Sequence, residues 1–341
     1  MGRNLTNRNP KKNFEVLWKT FHRRYPFFEL RNVDWRKQYE IYRPKIFSAT
    51  SDEELFEIFC EMLDPLDDGH VEITARLGQS EVKTRFTAEK EPRFYRELTE
   101  MQIKRLFKVA RSTLTANGFG PYSKTKAWMI RYCRSRDCGY MRILELEGVS
   151  KKRVSMALDK ISRDFPNLKG FIIDIRDNPG GEDSIALMIG NRFADRMRVA
   201  FYRRSKIGPG AEDFTPLRTW QLTPQGNVQF TCPIILLTCD AVFSGAECFA
   251  LALRELPHVT ILGEHTNGIF SYQLEKKLPN GWHYSLSYQE YLSADMVCYE
   301  GRGVPADIEL LNTKADLDAG VDPLIIRALE ILSQQDNMVS V

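Results

Sequence analysis

Ser244 stands where an apolar run gives way to a helix-forming one, a placement that suits a nucleophile. Before it, Pro233 to Thr238 is a short run rich in branched residues and reads as a buried strand. After it, Ala246 to Leu256 carries Phe249, Leu253 and Leu256 at helical spacing. At such a turn a hydroxyl can stand clear of the sheet. Unsatisfied N–H groups at the helix start then face any negative charge that develops on a substrate. The same letters fit a plainer role, with Ser244 as an N-cap and Glu247, three residues on, completing a capping box. Taken alone, this short stretch favours the cap.

Three further groups have residue types that could take part in acyl transfer. His70 lies at the junction of a Gly-containing turn and an alternating strand, Leu66 to Thr74. An imidazole that titrates near neutral pH can accept and return a proton, although a lone histidine at a strand start is more often structural. Asp177-Asn-Pro-Gly-Gly181 joins a buried-strand pattern, Leu168 to Arg176, to a helix expected over Asp183 to Phe193. Such a turn aims backbone N–H groups into a cleft, or its glycines serve turn geometry alone. No Gly-Lys-Ser/Thr follows it, which argues against a phosphate loop. Glu300 opens a turn-rich stretch that ends at Ile308. His258 and His265 are read as structural, and Asp240 as a turn residue. The five histidines are dispersed without an HExxH pattern, so neither a metal nor any cofactor is expected.

Four segments then fall in chain order: Asp68-Gly-His70, Asp174-x-Arg176-x-Asn178-x-Gly180-Gly181, Ser244-x-x-Glu247 and Glu300-Gly-x-Gly-Val-Pro-x-Asp307. In order and spacing this resembles the tail-specific, or C-terminal processing, serine peptidase family, over about residues 13 to 333. The resemblance implies an α/β fold. Its core would be like that of crotonase and the Clp-type proteases, with a mixed sheet and surrounding helices, preceded by a helical N-terminal region. One branch of the family pairs its serine with a lysine 25 residues later, where this chain has Ile269. Gln273 matches that branch's glutamine and fixes the register. The other branch resembles the tricorn protease core and the retinoid-binding protein repeats, and takes its histidine and glutamate from the motifs that here supply His70 and Glu300. The resemblance therefore implies a serine endopeptidase working through an acyl-enzyme, with Ser244 as nucleophile, His70 as base and Glu300 as orienter. Gly245 and either Gly180 or Gly181 would form the oxyanion hole, with Asn178, Arg176 and Gln273 in support. Gly69 stands where some members carry a serine beside the histidine, and no PDZ module is recognisable. Two other readings stay open: a catalytically idle relative that binds a peptide or an apolar ligand, and a crotonase-like enzyme acting on acyl-CoA.

The elements that must position these residues divide the chain into three parts. Residues 1–66 read as helical, with a stripe of Phe14, Leu17, Trp18 and Phe21, a second helix over Trp35 to Tyr42, and a capping box at Ser51 opening Leu55 to Leu63. Residues 67–135 read as a linking α+β segment packed on the core, with a helix over Thr99 to Arg111. Residues 136–341 carry a β–turn–α rhythm that argues for a largely parallel or mixed sheet and form the expected catalytic core. Ser205 to Gln229 reads as a long polar loop, Ser271 to Tyr288 as a hairpin turning at Asn280-Gly281, and Val321 to Leu332 as a closing helix.

Bulk composition excludes several classes. Among 341 residues, 48 are basic and 45 acidic, and the resulting net charge of +3 is no footprint for nucleic acid. No apolar run reaches the roughly 20 residues that span a bilayer. Hydrophobic content of 43% supplies ample core material. The N-terminus is polar, without the apolar centre of an export signal, and Gly2 with Thr6 matches an acylation pattern only loosely. Seven cysteines scattered through apolar segments read as reduced thiols. The expectation is a cytoplasmic protein as the sequence stands, or an exported one if a signal has been removed. Its partner would be a peptide or protein substrate, with self-association left open.

Overall fold

The two apolar runs that flank the chemistry become neighbouring parallel strands. In the computed structural model, which describes residues 7–77, 81–88 and 91–339, Gly170–Asp174 pairs with Ile234–Thr238 in register from Phe171 opposite Ile234 to Asp174 opposite Leu237. Every residue of both strands is buried, as expected of strands covered on both faces. They sit at the centre of a seven-stranded sheet that also holds Ile308–Glu309, Val259–Gly263, Cys138–Ile143, Ile130–Arg134 and Ser123–Lys124. Five of its strands run parallel, from Ile308–Glu309 to Cys138–Ile143, and the last two antiparallel. One face is closed by Glu100–Ala116 and Pro323–Val339, whose Ala110, Leu114, Leu324, Ile325 and Ala328 join Ile172, Ile235 and Leu237 in one apolar cluster. On the other face Phe171 meets Phe165, Phe193 and Phe230 edge-on or tilted. This sheet and its helices form one compact unit, residues 92–202, 219–270 and 292–341.

A second unit comprises residues 1–91, 203–218 and 271–291. Its helices Pro10–Arg24, Trp35–Tyr42 and Asp52–Leu63 are capped by Asn9, Asp34 and Ser51, and the Ser51 capping box is the one read from the sequence. The hairpin strands Gln273–Lys277 and His283–Ser287 join Glu72–Leu77 and Glu81–Phe86 in a four-stranded antiparallel sheet. This hairpin belongs with the N-terminal helices because its aromatic residues pack there. Trp282 lies edge-on to Phe56 and Phe59, and Tyr284 stacks on Phe21. The units are therefore discontinuous in sequence, unlike consecutive stretches 1–66, 67–135 and 136–341.

The stretch Ser205 to Gln229 is not all loop: Arg218–Leu222 forms a strand, and Trp220 stacks on Phe201 at 5.8 Å between ring centroids. Gly2 and Thr6 lie outside the described residues. All seven cysteines are free, and among the described residues no helix is long and apolar enough to cross a membrane.

Arg176, two residues past the strand Gly170–Asp174, is fully buried as the hub of a charged cluster. It donates to both oxygens of Asp174 at 3.0 and 2.7 Å, to Asn312 at 2.7 Å and to Asp322 at 3.1 Å. Tyr140 also donates to Asp174, at 2.7 Å. Removing the guanidinium would leave two carboxylates in a dry interior. Arg176→Met is expected to cost about 3–5 kcal/mol of stability in denaturant titration. A loss below about 1 kcal/mol would mean that water or a rearranged partner compensates.

Candidate active site

Adjacent parallel strands deliver their following loops to the same edge of a sheet, at the carboxyl ends where α/β folds place their sites. Here three neighbouring strands do so: Gly170–Asp174 leads to the Asn178–Gly181 turn, Ile234–Thr238 to Ser244, and Val259–Gly263 to the loop 264–270. The apolar runs thus set the turns side by side, although 63 residues separate Gly181 from Ser244 in sequence.

Ser244 begins the helix Gly245–Arg254 with φ +55° and ψ −123°, a left-handed backbone that a non-glycine residue adopts only under constraint. Of the capping box with Glu247, only the arm from the Glu247 side chain to the Ser244 main chain is a hydrogen bond. The Glu247 carboxylate accepts the Ser244 N–H at 3.3 Å, and the Glu247 N–H donates to the Ser244 carbonyl oxygen at 2.8 Å. The Ser244 hydroxyl itself makes no cap hydrogen bond. An ordinary N-cap has extended backbone and spends its hydroxyl on the helix; Ser244 does neither.

The Asn-Pro-Gly-Gly turn lies against this residue. A Cβ added at Gly180, whose φ is +96°, would stand 2.5 Å from the Phe243 carbonyl oxygen and 2.9 Å from Ser244 Cβ. One added at Gly245 would collide with the Gly181 carbonyl. Asn178 fixes the turn: its Oδ1 accepts the Gly180 N–H at 2.9 Å, its Nδ2 donates to Ile143 O at 3.0 Å, and its carbonyl accepts the Phe243 N–H at 3.1 Å. Among the described residues, the N–H groups of Gly245 and Gly181 have no hydrogen-bond partner. Gly180→Ala should therefore push the turn away from Ser244. The left-handed backbone alone would cost about 1–2 kcal/mol, and thermal melting should report at least that loss. A variant as stable as wild type would mean that the turn relaxes freely.

Glu300 belongs to the same unit, 2% exposed, and accepts the Phe270 N–H at 3.0 Å. Ile269, at the position of the other branch's lysine, is buried and donates its N–H to Glu247 at 2.8 Å. Lys276 and Lys277 are exposed on a hairpin strand of the smaller unit. His258 meets the Phe193 carbonyl at 3.0 Å, and the exposed His265 meets the Thr266 carbonyl at 2.7 Å. Arg176 contacts Asp174, Asn312 and Asp322, which makes it a brace of the strand end.

His70 belongs to the smaller unit and is held there by its backbone. Its N–H donates to Asp68 Oδ1 at 2.9 Å, and its carbonyl accepts from Ser285 Oγ at 2.9 Å and Gln273 Nε2 at 3.4 Å. Asp68 is fully buried and also accepts from Tyr25 at 2.9 Å and Ser287 at 3.1 Å. The Asp-Gly-His motif is thus a folded turn, and Gln273 serves the histidine's main chain. Burial pushes the imidazole below its ordinary value, against the pull of Asp68 and a hydrogen bond to the Ser271 backbone. The ordinary titration expected from sequence shifts downward for that reason.

Sequence reasoning gave Glu247 no role beyond the cap. In the fold it is fully buried and also accepts from Thr266 Oγ1 at 2.6 Å and Gly268 N at 2.6 Å. The Ser-x-x-Glu spacing was visible, but its partners twenty residues downstream were not.

Known proteins resemble this chain in sequence and in fold. Residues 6–64 match the tricorn protease C1 domain. The carboxy-terminal processing protease CtpA of Bacillus subtilis (strain 168) is 27% identical over 180 residues, covering 52% of this chain and 35% of CtpA. The carboxy-terminal-processing protease of Bartonella bacilliformis is 26% identical, covering 58% of this chain and 46% of that protein. The chain thus spans less than half the length of these curated relatives. A crystal structure from Parabacteroides merdae, assigned as a peptidase, superposes with a TM-score of 0.78 at 27% identity, over 96% of this chain and 97% of that one. The tricorn protease shares the fold at a TM-score of 0.57 and 14% identity, over 96% of this chain and 37% of its own. Residues 137–310, which hold both turns, Ser244 and Glu300, match peptidase family S41, and the chain belongs to that family.

Proposed function

We propose that the chain is a serine peptidase that cleaves peptide bonds in peptide or protein substrates through an acyl-enzyme. The observation that carries this reading is the strained Ser244 turn, with two backbone N–H groups beside it that donate to nothing else. Ser244 Oγ attacks the scissile carbonyl, and His70 takes its proton as the C–O bond forms. The resulting oxyanion is received by the Gly245 and Gly181 N–H groups. Gly181 is preferred to Gly180 because the Gly180 N–H is already given to Asn178. Collapse of the intermediate breaks the C–N bond, and His70 returns its proton to the leaving amine. Water then repeats the sequence on the acyl-enzyme and frees Ser244. Glu300 stabilises the histidine as an imidazolium, the role a carboxylate plays in such triads. Asn178 holds the oxyanion turn, while Arg176 and Gln273 brace the strand end and the histidine turn.

A peptide-library digest with wild type and Ser244→Ala side by side tests the assignment. Cleavage by wild type alone is expected. Equal cleavage by both, or by neither in a folded preparation, would overturn it.

A further inference from the structure

The loop 266–270 is held by two buried carboxylates that approach it from different elements. Glu247, on the helix headed by Ser244, accepts from Thr266 Oγ1, Gly268 N and Ile269 N at 2.6, 2.6 and 2.8 Å. Glu300 accepts the next N–H, that of Phe270, at 3.0 Å. The loop is joined to the Glu300 segment by its backbone as well: Thr266 N donates to Val304 O at 3.0 Å, Gly301 N to Gly268 O at 2.6 Å, and Val304 N to Thr266 Oγ1 at 2.7 Å. It is also joined to the nucleophile turn, where Asn267 reaches Val242 O at 2.9 Å and Asp240 O at 3.0 Å. A single side chain, Glu247, therefore touches both the main chain of Ser244 and the loop that Glu300 grips.

We propose that Glu247 is a positioning residue of this site: its ionised carboxylate locks the Ser244 turn to the 266–270 loop, and the site is competent only while that lock is closed. The proposal rests on the reading of Ser244 as nucleophile. A carboxylate has only acceptor sites, and four donors converge on this one, from Ser244, Thr266, Gly268 and Ile269. Protonation would turn one acceptor into a donor, so at least one of these four hydrogen bonds must be released or reversed. The loop would then slacken at the residues that lead to Phe270 and its bond to Glu300.

Burial pushes the Glu247 carboxyl up to about 7, opposed by its hydrogen bonds to Thr266, Gly268, Ile269 and Ser244. Four charged or titratable groups on the loop and the Glu300 segment are engaged elsewhere. Glu264 pairs with Arg93, His265 meets the Thr266 carbonyl, Glu300 holds Phe270, and Arg302 donates to the Cys298 carbonyl. Asp183 heads the helix Asp183–Gly190 packed beside the Ser244 helix. The sign is therefore that of a group needed in its ionised form: competence rises with pH through the neutral range. Burial moves His70 down and Glu247 up, so the Glu247 variant decides which of the two carries a limb near neutrality.

The test is the rate of fluorophosphonate labelling between about pH 5 and 9 for wild type, Glu247→Gln and Thr266→Val, with folding checked by thermal melting. Wild-type labelling should rise through a limb near 7. Glu247→Gln, whose amide presents a donor to N–H groups, should label at least about tenfold more slowly at high pH and lack that limb. Thr266→Val removes a bond that favours the ionised form, so its limb should move to higher pH. A folded Glu247→Gln with the wild-type rate or limb overturns the proposal. If that variant does not fold, an unmoved limb in Thr266→Val overturns it. Wild type that takes no label fails the nucleophile assignment instead. The lock is then read directly, by amide-exchange protection of Gly268 and Ile269, which should fall as pH drops through 7. Protection independent of pH overturns the lock whatever the chemistry of Ser244.

Discussion

Ser244→Ala is expected to fold normally, to lose fluorophosphonate labelling and to cut peptide hydrolysis by about a millionfold, the loss that follows removal of a peptidase nucleophile. The alanine keeps the Cβ and removes only an oxygen that makes no cap hydrogen bond, so no packing is lost. Ser244→Gly separates chemistry from strain. Serine at φ +55° and ψ −123° carries about 1–3 kcal/mol of backbone strain. Glycine adopts that backbone freely but adds roughly 0.5–1 kcal/mol of unfolded-chain entropy. The glycine variant should therefore be as inactive as the alanine and at least as stable in denaturant titration. Residual labelling of Ser244→Ala at the wild-type rate would place the nucleophile elsewhere. A glycine variant clearly less stable than the alanine would mean that the turn is not strained.

The sequence made the large sheet and the Ser244 turn legible for the same reason. Ile234–Thr238 and Gly170–Asp174 are fully buried, so each announces itself as an unbroken apolar run, and whatever follows such a run must emerge at the carboxyl edge. The antiparallel strand Glu81–Phe86 gave no such signal, since five of its six residues are exposed and charged Glu81, Lys83 and Arg85 break up Val82, Thr84 and Phe86, so no apolar run forms. Arg218–Leu222 was hidden similarly, with four of its five residues incompletely buried inside a polar stretch. At the site, the choice between Gly180 and Gly181 could not be read from neighbouring glycines, because it depends on where the Asn178 side chain points. Glu247 was masked by its own pattern. A residue three positions after an N-cap serine satisfies the capping box whether or not it also holds a distant loop, and only the fold brings Thr266, Gly268 and Ile269 to it.

His70→Ala should reduce turnover by at least about a hundredfold, the lower end for general acid–base catalysis. The base must be neutral to accept a proton, so activity requires a pH above its pKa. Burial disfavours the imidazolium more than Asp68 and the Ser271 hydrogen bond favour it, which places the His70 limb below the ordinary value of 6.5. A lysine in its place would have to lose its proton from a far higher value, which demands burial, and Lys276 and Lys277 are exposed. Glu300→Gln separates orientation from proton transfer. The amide oxygen can still accept the Phe270 N–H, so the loop keeps its bond, while the negative charge proposed to stabilise the imidazolium is lost. This variant should fold, should lose less activity than His70→Ala, and should move the His70 limb further down, because the charged form has lost a stabilising partner. Rates for wild type, His70→Ala and Glu300→Gln across the acid range check all three expectations. A near-wild-type rate for His70→Ala would break the triad and return attention to His265 or a lysine. An unmoved limb in Glu300→Gln would detach Glu300 from the histidine and leave it only as the anchor of Phe270.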